Sequence, residues 1–477
     1  MPNRGHRPTA AWRRGVGAVV ALWMGFTARL EAADYLTWKT DQNRVDARVE
    51  SWPLPKVLEA ISSATGWEIY VEPDTQRAVT TRFESLKPPD ALRRLLGDLN
   101  FAVLPQTNGP AKLFVYRKSL GDATQLVQIA KGSAKSSRAS KVIGKELILT
   151  LKRGSKTDID TLPARLHARV VGRLDAFNAY RLSFEDEAAA REARAALERD
   201  GDVASVENNF AITAPGFLEP LEMSSPAGLP ITPNVSPATD QVVVGLIDTA
   251  VQTQGTAVRD FLQPGVSLFG DYQPPADQMT HGTAMAETIL DGVARALQEE
   301  GEGGGKVSVS ILPIDVYGAN PDTTAFDVAR GMYEALSRHA NIINLSLAGS
   351  SDSALVKSLI EDASRHGVLF VAAAGNAPVT TPTYPAADPG VIAVTAGDSR
   401  GDIAPYANRG PFVDALAPGV NVVHYQDAAW FGTGTSFATT WVSGWAAGFM
   451  ASSGHHSSSA TQAVTLDRWR LPPRPAP

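Results

Sequence analysis

The chain contains no cysteine in 477 residues. That excludes disulfides, thiolate metal sites and a cysteine nucleophile, and leaves the compartment open. A strong charge of one sign is also missing. Lys and Arg number 44 against 50 Asp and Glu, a formal net charge of −6, which argues against a nucleic-acid binder. Past the N-terminus no apolar run is long enough for a membrane span. Charged residues at 20% and hydrophobic residues at 44% describe a globular protein, and the length implies roughly two to four domains.

The one long apolar stretch, Val16 to Ala28, follows Arg4, Arg7, Arg13 and Arg14 and precedes Ala32-Ala33. This is the layout of a secretory signal peptide over 1–33. An uncleaved anchor is the alternative, but the run is short for a bilayer. The expectation is a periplasmic or secreted protein with no transmembrane anchor after processing.

Residues 34–118 read as a small α+β unit. A helix starts at Leu54 and ends at Thr65-Gly66, a strand runs from Trp67 to Val71, and a turn is expected at Pro73-Asp74. A helix from Pro89 stops at Gly97, and Lys112 to Tyr116 closes the unit as a strand. The succession Leu54, Leu58, Ala64-Thr65-Gly66, Tyr70-Val71, Ala91 to Leu96 and Leu113-Phe114-Val115 resembles the short N-terminal domain of secretins and TonB-dependent receptors. That resemblance implies an interaction module, with an envelope protein as partner, in a Gram-negative periplasm.

Residues 119–143, rich in Ser, Ala and Lys, read as a linker. A second unit, 144–213, has strands at Glu146 to Leu151, Ala179 to Leu182 and Val203 to Phe210, and helices near Thr161 and over Glu185 to Glu198. This β-α-β-β-α-β order, closing on Val206-Glu207-Asn208-Asn209, resembles a subtilisin-type inhibitory propeptide. The resemblance implies a folding aid and temporary inhibitor; an extra binding domain is the alternative. Residues 214–239, rich in Pro, Ser and Ala, read as a second linker where maturation cleavage would fall.

From 240 to 456 strands and helices alternate, which predicts an α/β fold with a mostly parallel sheet and helices on both faces; 457–477 reads as a tail. Five motifs in this stretch carry the chemistry: Val244 to Thr249, His281-Gly282-Thr283, Asn344 to Leu347, Ala372 to Asn376, and Gly434-Thr435-Ser436-Phe437-Ala438. A serine hydroxyl needs a base to take its proton and a carboxylate to orient that base. Asp248, His281 and Ser436 are candidates in that chain order, the order of subtilisin-like hydrolases. Among the eight histidines only His281 has motif context; His424 finds no place, and His455-His456 reads as a solvated turn.

Together the motifs resemble subtilases and span nearly all of 240–456. The resemblance implies that Asp248, His281 and Ser436 form a triad and that Asn376 donates to an oxyanion. It implies that Leu345, Ser346, Leu347 and Ala348 pair with an extended peptide, and that Ala373, Ala374 and Gly375 line a pocket for a large apolar side chain. Ala250, Ala284, Glu287, Thr440 and Trp441 depart from the family pattern. The loop that carries calcium in many relatives is not recognisable near Gly301 to Lys306, so no metal or other cofactor is expected. The function expected is a serine endopeptidase acting on protein or peptide, made as a zymogen and inhibited by its own propeptide. The alternatives are an envelope sensor or scaffold with an inactive protease domain, and an esterase.

Overall fold

In the computed structural model residues 34–471 are described, apart from 73–74, 76, 105–109, 118–122, 124, 128–140, 216–217, 222–228, 235–240, 302–304, 399–400 and 455–456. The expected signal peptide, the turn at Pro73-Asp74 and His455-His456 lie outside the described residues. Among those described, no helix is long and apolar enough to cross a membrane.

The N-terminal unit comprises β1 (Tyr35–Lys39), β2 (Arg44–Pro53), α1 (Leu54–Thr65), β3 (Glu68–Val71), β4 (Ala78–Leu86), α2 (Pro88–Leu96), β5 (Asn100–Leu104), β6 (Lys112–Tyr116) and β7 (Gln125–Leu126). Both helices have Pro in the first turn, where its missing N–H costs nothing, and Gly66 and Gly97 end them. One sheet has the order β1-β2-β4 and the other β5-β6-β3-β7. Ile69, Val71, Leu113 and Val115 face a core with α1 and α2. Tyr70 and Phe114 point from the opposite face into a separate apolar cluster. Both faces of β6 are therefore covered, which accounts for its unbroken apolar reading Leu-Phe-Val.

The middle unit comprises β8 (Lys141–Leu151), α3 (Leu162–Arg165), β9 (Arg169–Leu174), β10 (Ala179–Ser183), α4 (Glu187–Leu197) and β11 (Val203–Thr213). Within the stretch read as a linker, β12 (Leu218–Leu221) and β13 (Thr232–Pro233) pair with the C-terminal unit. Neither was legible, because each is held by a partner strand rather than by a pattern of its own.

The C-terminal unit follows with β14 (Val242–Asp248), β15 (Val266–Ser267), α5 (His281–Glu299), β16 (Lys306–Val307), β17 (Val309–Asp315), β18 (Asp322–Thr324) and α6 (Ala325–Ser337). Then come β19 (Ile342–Leu345), α7 (Ala354–Arg365), β20 (Leu369–Ala373), β21 (Val391–Gly397), β22 (Ala415–Pro418), β23 (Val420–Tyr425), β24 (Ala428–Thr433), α8 (Thr435–Ser453) and α9 (Ser458–Arg468). A seven-stranded sheet runs β15-β17-β14-β19-β20-β21-β22, with every named pair parallel. The chain leaves β14 towards β17 and returns past it to β19, so the strand order reverses at β14. In open α/β sheets ligands bind at such a reversal, outside the carboxyl ends of the strands.

Helices α5 and α8 lie against each other and supply much of one of the two cores flanking the sheet. Their crossing is close: a Cβ at Gly444 would overlap the carbonyl of Ile289. The stretch read as a tail holds a helix, α9, capped by Ser457 and leading to the buried Trp469. Glu299 binds Arg468 on α9 and Trp445 on α8 together. The tie is between distant side chains, so the Ser-rich stretch carried no periodic signal of it.

The middle and C-terminal units share one sheet, ordered β18-β11-β8-β10-β9. Ala211, Ile212 and Thr213 pair antiparallel with Thr324, Thr323 and Asp322, and Ala214 N–H donates to Pro321 O at 2.8 Å. Glu207 accepts from Ser353 Oγ, Ala354 N–H and Leu355 N–H at 2.7–3.1 Å, capping the N-terminus of α7. Arg181 is bidentate to Glu146 and reaches Asp327 in the first turn of α6 at 3.1 Å. Asn209, fully buried, donates to Glu146 and accepts from the Phe326 N–H.

Candidate active site

Asp248 is the last residue of an entirely buried strand and is itself 1% exposed. Its Oδ1 accepts from the Thr249 N–H at 2.7 Å, which fixes the carboxylate. His281 opens α5, capped by Thr280, and its Nδ1 lies 2.8 and 3.0 Å from the two oxygens of Asp248. An ionised carboxylate only accepts, so Nδ1 carries the hydrogen and Nε2 keeps its lone pair. The loop between them is stapled to the head of α5. Gly282 N–H donates to Thr249 Oγ1, Thr280 Oγ1 to Ala250 O, and Gln252 accepts from both Thr280 N–H and Thr283 Oγ1.

Ser436 is the second residue of α8, and Gly434 precedes the helix at φ 146°, in the region that favours glycine. The Ser436 hydroxyl donates to Ser346 O at 3.2 Å. As a first-turn amide, the Ser436 N–H has no intrahelical acceptor. Asn376 Oδ1 accepts from the Thr435 N–H at 2.9 Å, which turns Nδ2 the other way as a donor. Gly375 N–H donates to Thr435 Oγ1 at 3.1 Å, so the turn after β20 and the head of α8 are tied twice.

Asn408 holds that turn from behind and was missed from the sequence. Its Nδ2 donates to Ala374 O at 2.6 Å, its Oδ1 accepts from Ala377 N–H at 2.8 Å, and its own N–H donates to Gly375 O. The signal available was an Asn two residues before Gly410 in a loop that also carries Asp402 and Arg409, which is no motif.

Of the peptide-contact candidates, Ser346 meets Ser436, and Ala348 faces Gly375. Leu345 and Leu347 direct their side chains into the core under the sheet. Ala373 and Ala374 are buried at the end of β20.

Two of the departures, Glu287 and Thr440, have hydrogen-bond partners. Glu287, buried one and a half turns along α5, accepts from the His424 N–H and pairs with His424 Nδ1 at 2.9 Å. The histidine without a place and the carboxylate where glycine is usual thus answer each other. Asp291 lies one turn further on and accepts from Asn421 Nδ2 at 2.9 Å. Burial, then the Glu287 charge, push its carboxyl up to about 7. The hydrogen bond to Glu287, then burial acting against it, leave His424 above its usual range. Thr440 Oγ1 donates back along α8 to Phe437 O at 2.8 Å, whereas Trp441 Nε1 is buried without a partner among the described residues. Among the described residues no group of three His, Asp or Glu side chains is placed to hold a metal ion.

Residues 129–209 match the fervidolysin N-terminal prodomain, and residues 239–469 match the subtilase family. The chain is 31% identical to the thermostable alkaline protease of Halalkalibacterium halodurans, covering 53% of this chain and 68% of that one. It is 30% identical to thermitase of Thermoactinomyces vulgaris, covering 46% and 78%. Against the M-protease of Shouchella clausii it is 30% identical and spans 65% of that protein's length. The fold is shared with the crystal structure of the epidermin leader peptide processing serine protease of Staphylococcus aureus. The TM-score is 0.52 at 14% identity, over 69% of this chain and 93% of that one. With the fold, the motifs and these relatives in agreement, the chain belongs to the subtilase family.

Proposed function

We propose that the chain is a serine endopeptidase made as an exported zymogen. Ser436 is the nucleophile, His281 its general base, and Asp248 the carboxylate that holds the ring. The observation that carries the reading is the buried Asp248–His281 pair at the head of α5, the helix that crosses the one bearing Ser436. In the reaction the Ser436 hydroxyl turns from Ser346 O to Nε2 and gives up its proton as Oγ attacks the peptide carbonyl carbon. The oxyanion formed takes hydrogen bonds from Asn376 Nδ2 and the Ser436 N–H. Nε2 then protonates the departing amine, and water, activated by the same nitrogen, hydrolyses the acyl-enzyme.

Backbone at Ser346 to Ala348 offers a substrate an edge to pair with, which favours extended, sequence-tolerant peptides. The small side chains at Ala373, Ala374 and Gly375 leave room for a large apolar residue before the scissile bond.

The middle unit is the inhibitory propeptide. Its match to a prodomain and its shared sheet with β18 support this. The chain cuts itself between about Phe210 and Asp240. The likeness of 34–118 to secretin-type domains, together with the leader at 1–33, supports a Gram-negative envelope location, periplasmic or secreted.

A fluorophosphonate probe is the direct test: it labels wild type and spares Ser436→Ala. The variant retains only the roughly 10³–10⁴-fold acceleration over water that binding and oxyanion donors supply. Expressed to the periplasm, wild type is recovered cut and Ser436→Ala is recovered uncut with its leader removed. Proteolysis by Ser436→Ala within tenfold of wild type overturns the assignment.

A further inference from the structure

The middle unit does not hold the C-terminal unit alone. The face of the β5-β6-β3-β7 sheet turned away from α1 and α2 lies on the β23–β24 hairpin. Tyr70, Leu104, Phe114 and Ala123 from one side and Val420, Ala429 and Phe431 from the other form one buried cluster. At its centre Phe114 meets Phe431 edge-on at 4.8 Å between centroids, Tyr70 stacks on Phe114 at 5.0 Å, and Lys112 Nζ lies 4.9 Å over the Phe431 ring. Phe431 is buried to 1% exposure by this contact and its own hairpin. A small domain joined only by a passive tether has no reason to bury aromatic rings of its partner.

The placement matters because β24 runs directly into Gly434-Thr435-Ser436 and pairs on its other edge with β12. The middle unit grips β18, α6 and α7. The N-terminal unit grips the separate β23–β24 hairpin.

We propose that the N-terminal unit is a second docking element whose partner is the chain's own C-terminal unit, and that it keeps the N-terminal half attached after the chain is cut. The consequence for the mature form rests on the self-cleavage proposed above; the docking does not. These two contacts and the β12–β24 pairing act together on one polypeptide: while one is open, the others hold its partner at high effective concentration.

The test uses the full-length Ser436→Ala protein with a recognition sequence for an external site-specific protease inserted between Met223 and Ser224. The break is then made at will and independently of self-cleavage. Dissociation of the two halves is followed by size exclusion after dilution. In the parent the halves stay together. Tyr70→Asp and Phe431→Ser, one on each face of the contact, each speed dissociation at least fivefold, with far-UV circular dichroism of the uncut proteins unchanged. Because the two residues act through one contact, the double variant falls apart no more than about twofold faster than the faster single one. If either single variant keeps dissociation within fivefold of the parent, the N-terminal unit is a tethered bystander and the proposal is wrong. A parallel sample of wild type reports separately on self-cleavage: its failure to cut removes that reading and leaves the result for the docking untouched.

Discussion

His281 has one ring nitrogen committed to Asp248 and the other without a hydrogen bond among the described residues, and that division decides what the ring can do. In Asp248→Asn the amide can present either a donor or an acceptor to Nδ1, so the tautomer with a basic Nε2 is no longer enforced. A fall in kcat of about 10⁴ is expected, read as initial rates on a chromogenic peptide. Asn376→Ala removes a donor but leaves the nucleophile and base in place. The expected loss is on the order of 10²–10³ in kcat with little change in KM, the size known for one such donor in a subtilisin. A loss confined to KM would remove Asn376 from the oxyanion role. The proposed triad and its proposed donor could be picked out as candidates because they sit in short contiguous motifs. Asn408 was not, since its work is done by three backbone contacts that gather residues 374, 375 and 377 from a distant loop. Glu287 and His424 were each noticed and left unpaired, because 137 positions of chain separate the two ends of one hydrogen bond.

Helix α5 joins the site to the β23–β24 hairpin, with His281 at its head and Glu287 and Asp291 along one face. Asp291 is raised from 3.8 to about 7 in the folded chain. The folded state therefore binds a proton there that the unfolded state has lost, and this contribution weakens as pH rises from about 3.8 towards 7. His424 is also raised, so its share is complete below its unfolded value and fades as pH climbs through the folded one. Both act in the same direction. In the Ser436→Ala background, Asp291→Asn should flatten the decline of Tm between pH 4 and 7, as followed by differential scanning calorimetry; an unchanged slope would mean that Asp291 is ionised throughout. At the crossing of α5 and α8 the limit is steric. Gly444→Ala forces a methyl onto the Ile289 carbonyl and is expected to cost about 1–3 kcal/mol. The alternation of strands and helices was readable in this stretch, but a glycine in a helix says only that something comes close, not what.

At the scale of the whole molecule the α/β order of the C-terminal unit was readable, as its strands are continuous apolar runs buried on both faces. The way the units close on one another was not. It is written in isolated residues such as Glu207, whose carboxylate caps a helix that begins 147 residues later. Replacing it by Ala leaves three donors at the head of α7 without their acceptor and loosens the propeptide. Glu207→Ala should therefore shorten the lag before peptidase activity appears in freshly folded protein, while the final activity equals that of wild type. A lag as long as in wild type would mean that release is governed elsewhere.

The strands on either side of residues 214–217 are both seated on the C-terminal unit of the same chain, β11 on β18 and β12 on β24. If the chain cuts itself as proposed, these pairings predict the reaction order of maturation. A bond delivered by its own molecule does not wait for a collision, so the half-time of the first cut is the same at micromolar and at tenfold lower concentration. Cutting by neighbouring molecules would instead slow in proportion to dilution. Time courses of intact mass at two dilutions separate the two, and the paired flanks predict curves that superimpose.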